Sequence, residues 1–247
     1  MDTATKNSHP RLDEPIPLLS HLDELKKRLI YSLIAIAVCS FAVYPAVDFV
    51  IRDLAKPVGK FIFTGPVEAF WTRFKLAFFM GLFAAMPVVL FQIWSFIQRG
   101  LMPKEKHMTR AITVISFVLF AAGASFSYFL IVPVGVKFLL AYGSDVMVPM
   151  ISVSRYLSFV FGMVFSFGLV FELPLIIGFL VKLGMLQSAT LRKQRRFAIV
   201  IIFIAAAALT PGPDVFSQVL MALPLLVLYE AGIIVARMIE KRRKQNG

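Results

Sequence analysis

One carboxylate of this chain lies deep inside an apolar segment, where ionisation is costly. Glu172 interrupts the apolar run 156–181, and in a helix it would lie about 15 Å from Lys182 and about 25 Å from Arg155. An ionised carboxylate at that depth costs several kcal/mol unless it is paired or hydrated. Glu172 should therefore face protein, water or a partner. Pro174 loosens the same turn because it lacks an amide hydrogen.

Further polar residues surround the start of the last apolar run. Thr210 opens a tight Thr-Pro-Gly-Pro-Asp turn, Asp214 ends it at a position suited to capping the next helix, and Gln218 lies one turn further on. Glu172 therefore has two interpretations. It is either a functional intramembrane acid or a structural carboxylate bonded to a neighbouring helix, such as the hairpin that carries Thr210 and Gln218.

Two other acids, Glu24 and Glu105, lie among basic residues beside apolar runs. The Glu24 side chain can pair with Arg28 one helical turn on, and this pairing is one explanation of its presence. A carboxylate can also accept two parallel hydrogen bonds from a guanidinium group. Two such carboxylates at one face of a membrane could bind two arginines.

The sequence lacks the motifs of metal, redox and nucleotide chemistry. Cys39 is the single cysteine, the three histidines lack the HExxH spacing of a zinc site, and there is no GxxxxGK[ST] loop. We therefore expect neither an enzyme nor a cofactor.

The composition shows which solvent surrounds the elements that position these acids. Of the 247 residues 59% are hydrophobic and 16% are charged, whereas about 25% are charged in ordinary soluble domains. The chain lacks the polar surface that water requires. We therefore predict an all-α integral membrane protein whose surrounding solvent is lipid.

Six apolar runs are candidate transmembrane helices. The fifth and sixth runs predict short helices. The fifth run, 197–209, has only 13 residues, and the sixth, 215–236, has 22 but carries Glu230. The other four are 29–47, 76–98, 111–136 and 156–181.

The basic residues predict the orientation. Nineteen lysines and arginines fall in the amino-terminal segment, the second and fourth connections and the tail, and six fall in the other connections. Both termini are therefore predicted to be cytoplasmic. Most of the formal charge of +12 is then a topology signal that can also attract anionic lipid, and nucleic-acid binding loses its main support. The predicted organisation is a flexible cytoplasmic segment 1–16, one six-helix transmembrane domain 17–240 and a basic cytoplasmic tail 241–247.

Several segments resemble signatures of the TatC family, the multispanning subunit of the twin-arginine protein translocase. The segment HLDELKKRL at 21–29 is similar to the family motif HLxELRxRL, with Lys26 in place of an arginine. The TPGPD turn has one residue more than the commoner family turn. Further matches follow in the family's order and cover nearly the whole chain after residue 17. They are FTGPVEAF at 63–70 with Lys75, QIWSF at 92–96 with Glu105, FELP at 171–174, TPGPDVFSQ at 210–218, LPL at 223–225 and LYE at 228–230.

The resemblance implies a receptor for the twin-arginine signal peptides of folded precursor proteins. With single-span TatA and TatB subunits it would export those proteins across the bacterial cytoplasmic (inner) membrane, driven by the proton motive force. It would form a homo-oligomer within the receptor complex.

The same resemblance assigns roles to individual residues. The implied signal-peptide site comprises Glu24, Glu105 and Phe96. Partner subunits are implied to dock at an intramembrane polar cluster of Glu172, Thr210 and Gln218. Asp214 and Pro174 belong to turns of structural or functional importance.

Two other functions fit parts of the pattern. A proton- or ion-coupled solute transporter would use Glu172 as its titrating group. Solute uptake by this protein alone in liposomes would favour the transporter, and dependence on single-span partner proteins would count against it. An intramembrane protease has no support, because no apolar run offers a Ser/His or paired-Asp arrangement.

Overall fold

The computed structural model describes residues 18–56, 58–59, 61–62, 65–101, 106–141, 150–209 and 215–245. These residues are helical apart from short connections and one isolated bridge between Ile62 and Ser152, which confirms the all-α prediction. A 3-10 turn, Tyr44–Ala46, links α1 to α2, and a π-helical turn, Ser127–Ile131, links α4 to α5. The helices are α1 (Leu18–Val43), α2 (Val47–Ala55), α3 (Pro66–Leu101), α4 (Lys106–Phe126), α5 (Val132–Ala141), α6 (Val153–Val170), α7 (Leu173–Lys182), α8 (Ser188–Lys193), α9 (Arg195–Leu209) and α10 (Val215–Gln245).

Five helical segments of the described chain are long and apolar enough to cross a membrane. They are His21–Ala55, Pro66–Gln98, Thr109–Ala141, Val153–Lys182 and Val215–Arg243. Helix α9 is also apolar but has only 15 residues, which span about 22 Å against a hydrocarbon core of about 30 Å. The predicted short fifth helix is thus confirmed. The sixth crossing and the cytoplasmic position of both termini stay predictions.

The predicted shortness of the sixth helix is wrong. Helix α10 has 31 residues and continues well past Ala236, where the apolar run ends. The charged segment 237–244 prolongs the helix because lysine, arginine and glutamate have high helix propensity and can keep their charges in water. For the same reason α1 and α3 begin before their apolar runs, at Leu18 and Pro66.

The crossing formed by α6 and α7 is interrupted at mid-length. Phe171 and Glu172 form a turn between Val170 and Leu173. Pro174 is at the start of α7 and has no amide hydrogen to bond to the Val170 carbonyl, four residues before it. The proline therefore explains why the helix breaks beside the buried acid.

Helix α3 packs against α1, α4 and α6 and so holds the centre of the bundle. It runs parallel to α6 and to α7, which continues α6. Ring pairs join α3 first to α6 and then, further along α3, to α7. Phe79 stacks on Phe161 with ring centroids 4.9 Å apart, and Trp94 meets Phe179 edge-on at 5.2 Å. Because Phe79 and Trp94 lie about four helical turns apart on α3, the two ring pairs fix the relative height of the two crossings.

Helices α4 and α6 approach each other closely at two glycines. A Cβ atom on Gly123 would lie 2.5 Å from the Phe167 carbonyl oxygen, and one on Gly168 would lie 2.5 Å from the Phe120 ring. Small residues allow such close packing in membrane proteins, where van der Waals contact drives helix association. The contact brings α4 beside the turn that contains Glu172.

We predict that Gly123→Ala lowers the free energy of unfolding by about 1–3 kcal/mol, because the added methyl group forces α4 away from the α6 backbone. Gly135→Ala is the matched control, since its Cβ would only make ordinary contact with Phe159 at 3.6 Å. That control should be neutral or stabilise the protein by up to about 1 kcal/mol, the helix-propensity gain. Thermal unfolding in detergent measures both variants. Equal transition temperatures for the two would contradict the close-packing account.

Candidate functional site

Glu24 is held by an arginine of its own helix at the end of the bundle where α1 begins. Nε and Nη2 of Arg28 both donate to Glu24 Oε1, at 3.0 and 2.6 Å. The Arg28 Nη1 group donates to Gln92 Oε1 of α3 at 3.1 Å. The side chains of Arg28 and Glu24 are only 11% and 19% exposed. The expected pairing with Arg28 is therefore present, and it shows that this carboxylate can bind a guanidinium group.

Phe96 lies next to this pair, at the neighbouring turn of α3. Its ring stacks on His21 of α1 with centroids 4.3 Å apart and planes 20° from parallel. Glu24, Arg28, Gln92, His21 and Phe96 thus form one cluster across the α1–α3 contact, which we call the Glu24 cluster. Because α1 and α3 are antiparallel, residues early in α1 meet residues late in α3.

His21 and Gln92 had no predicted role, although both lie in segments that resemble family motifs. Their spacing could have indicated a role. Gln92 precedes Phe96 by one helical turn and His21 precedes Glu24 by three residues, so each shares a helix face with a predicted site residue. The other predicted acid, Glu105, lies outside the described residues. Its distance from Glu24 is therefore untested.

Glu172 is buried, with 5% of its surface exposed. Neither carboxylate oxygen makes a hydrogen bond of normal geometry to any described residue. Ser116 of α4 is close enough to influence the carboxyl group electrostatically, and its hydroxyl accepts a hydrogen bond from Trp94 Nε1 at 3.0 Å. The break before α7 thus directs the acid towards α4 and α3.

Gln218 has a different neighbour from Glu172. Its Nε2 group donates to the Phe203 carbonyl at 3.0 Å and so ties α10 to α9. Ile177 packs on Gly232 and so joins α7 to α10. The grouping of Gln218 with Glu172 and Thr210 stays a prediction. Thr210 and Asp214 lie outside the described residues.

The remaining acid of the last crossing, Glu230, forms a surface ion pair. Arg195 Nη2 donates to Glu230 Oε2 at 2.7 Å, and both side chains are about half exposed. The pair joins the start of α9 to α10.

A comparison with known protein families identifies the chain. The family model described as "Sec-independent protein translocase protein (TatC)" matches residues 20–224. The chain belongs to the TatC family.

Individual TatC proteins agree with this assignment over nearly their whole length. The chain is 42% identical to the TatC protein of Carboxydothermus hydrogenoformans, covering 93% of this chain and 96% of the relative. It is 39% identical to that of Desulforapulum autotrophicum, with 94% and 88% covered. It also resembles the crystal structure titled "Crystal Structure of Twin Arginine Translocase Receptor- TatC", with a TM-score of 0.79, 36% identity and coverage of 89% of this chain and 99% of that one.

Membership of the TatC family makes the chain a multi-pass membrane subunit of a protein translocase and not an enzyme. Family membership therefore favours protein transport over the solute transport that Glu172 alone could indicate.

We predict that Glu172→Met raises the free energy of unfolding of the isolated protein by about 1–3 kcal/mol. The substitution removes a buried carboxyl group that has no hydrogen-bond partner among the described residues. Methionine replaces it with an apolar side chain of similar length. The measurement is thermal unfolding of the purified chain in detergent.

Glu230→Met is the control for removing a carboxylate. It breaks only the half-exposed pair with Arg195, so its effect should stay within about 1 kcal/mol. Clear destabilisation by Glu172→Met would show that the carboxyl group makes a bond that stabilises the fold.

Proposed function

We propose that this TatC protein is the receptor for twin-arginine signal peptides and that the Glu24 cluster binds one of the two arginines. Glu105 would bind the other. Together with single-span TatA and TatB subunits, the protein would export folded precursors across the bacterial cytoplasmic membrane. Both termini would face the cytoplasm, where the precursors are made.

The main support for this proposal is that Glu24 already binds a guanidinium group, that of Arg28. Arg28 donates twice to one carboxylate oxygen, and its third donor group is held by Gln92. An incoming arginine can displace Arg28, which keeps its bond to Gln92. Because the pair is largely shielded from water, a charge-assisted hydrogen bond there contributes more than at an open surface.

Phe96 supplies the aromatic wall of the proposed site. The ring is stacked on His21 and so is held in one orientation, one helical turn along α3 from Gln92, which bonds to Arg28. Arginine binds well between a carboxylate and an aromatic ring, because its planar group makes forked hydrogen bonds and also stacks. Lysine can do neither with the same geometry, which gives the site a preference for arginine.

Glu172 and Gln218 would be docking points for partner helices. Burial of an acid that has no hydrogen-bond partner among the described residues is costly for the isolated chain, and a polar group on a partner helix would offset that cost. We propose that TatA and TatB supply such groups. Copies of this chain would assemble with them into the receptor complex, and the proton motive force would drive transport.

We expect Glu24→Gln to weaken binding of a fluorescent twin-arginine signal peptide by at least about tenfold. The amide keeps the shape of the carboxylate but loses the charge that strengthens the hydrogen bonds, a contribution of about 1.5–3 kcal/mol. Binding is measured by fluorescence anisotropy on the purified full-length protein.

Asp23→Asn is the matched control, since Asp23 is an exposed acid one residue away on α1. It removes the same charge from the same helix and should change the dissociation constant less than about twofold. Equal losses for the two variants would mean that net charge, and not the Glu24 cluster, attracts the peptide.

A further inference from the structure

The connection between α7 and α9 carries a group of exposed cationic side chains outside the Glu24 cluster. Arg192 and Lys193 end α8, and Arg195 and Arg196 begin α9. Arg195 pairs with Glu230. Within the described part of the chain, Lys193 and Arg196 have no acidic partner. Two cationic groups at this corner are therefore available to an external anion.

A cleft of about 440 Å³ lies at this corner and is lined by Ala189, Thr190, Lys193, Gln194, Arg196 and Phe197. Its polar wall therefore combines two cations with a hydroxyl group and an amide group, all able to donate hydrogen bonds. The Arg196 guanidinium carbon lies 5.0 Å from the centroid of the Phe197 ring. This cation–π contact holds the charge at the apolar edge of the cleft.

An apolar stripe leads from the cleft along α9. Phe197, Val200, Ile201 and Ile204 are each more than half exposed, and their spacing puts them on one face of the helix. If α9 crosses the bilayer as predicted, its length of only about 22 Å brings the headgroups beside it closer to the corner. Cationic donors thus lie directly beside a surface that suits an acyl chain.

We propose that the α8–α9 corner binds an anionic phospholipid. Lys193 and Arg196 would bind the headgroup phosphate, and one acyl chain would lie along the exposed face of α9. A zwitterionic lipid fits less well, because its own cation competes with the two side chains for the phosphate. Cations without an acidic partner among the described residues lie here beside a cleft and an apolar stripe. This combination favours a lipid over a soluble anion, because a soluble anion would contact only the polar part of the corner.

The test compares phosphatidylglycerol with phosphatidylcholine of the same acyl chains, both titrated onto the purified full-length protein and followed by native mass spectrometry. We expect the wild-type protein to bind phosphatidylglycerol more tightly by about fivefold or more. The double variant Lys193→Gln with Arg196→Gln should lose this preference and bind phosphatidylglycerol roughly 25-fold more weakly, since each of the two cations near the surface contributes about fivefold.

The control double variant is Lys26→Gln with Lys27→Gln, which removes two exposed cations from α1. It should bind phosphatidylglycerol within about twofold of wild type. Equal weakening by both double variants would overturn the proposal, since it would show a general effect of net charge.

Inorganic phosphate distinguishes a lipid site from an anion site. At millimolar concentration it should leave most of the phosphatidylglycerol bound, because it cannot replace the acyl-chain contacts with α9. Complete displacement by inorganic phosphate would assign the corner to a soluble anion instead. Both double variants leave Glu24 intact, so this result is independent of signal-peptide binding.

Discussion

The packing of α3 against its neighbours is the constraint on which both the Glu24 cluster and the surroundings of Glu172 depend. Late in α3, Gln92 and Phe96 complete the Glu24 cluster with α1. On another side of the same helix, Trp94 bonds to Ser116 of α4 beside Glu172. A shift of α3 along its axis would therefore displace both regions together. Parallel ring stacking between α3 and α6 opposes such a shift, because aromatic pairs prefer a narrow range of distances and angles.

This arrangement suggests how binding at one region could affect the other. Gln92 and Trp94 are two residues apart on one rigid helix, yet they face different partners. If a signal arginine displaces Arg28 from Glu24, Arg28 keeps its bond to Gln92 but loses its two bonds to Glu24, so the contact between α1 and α3 changes. Glu172 lies at a helix break, where the backbone can adjust more easily than within an uninterrupted helix.

The sequence predicted the class of fold and several local contacts well, because they follow from strong physical preferences. Apolar runs and Pro174 indicated the crossings and the break, and the spacing of Glu24 and Arg28 indicated their ion pair. Helix ends were less predictable, since hydropathy finds where a helix leaves the lipid and not where it ends, as α10 shows. Contacts between distant segments, such as His21 with Phe96 or Trp94 with Ser116, could not be derived from periodicity. They depend on helix register, which glycine contacts and ring stacking determine in three dimensions.

The measurement that tests the account most directly is site-specific photo-crosslinking of a twin-arginine precursor in native membranes. Photoreactive residues would replace Asp23 and Ile93, which are exposed beside the Glu24 cluster, and Phe49 of α2 as a distant control. The account predicts crosslinks at the first two positions, their loss with a Lys-Lys signal peptide, and none at Phe49. Crosslinks at Asp23 and Ile93 that persist unchanged with the Lys-Lys peptide, or that never form, would contradict the assignment of the Glu24 cluster as the arginine-binding site.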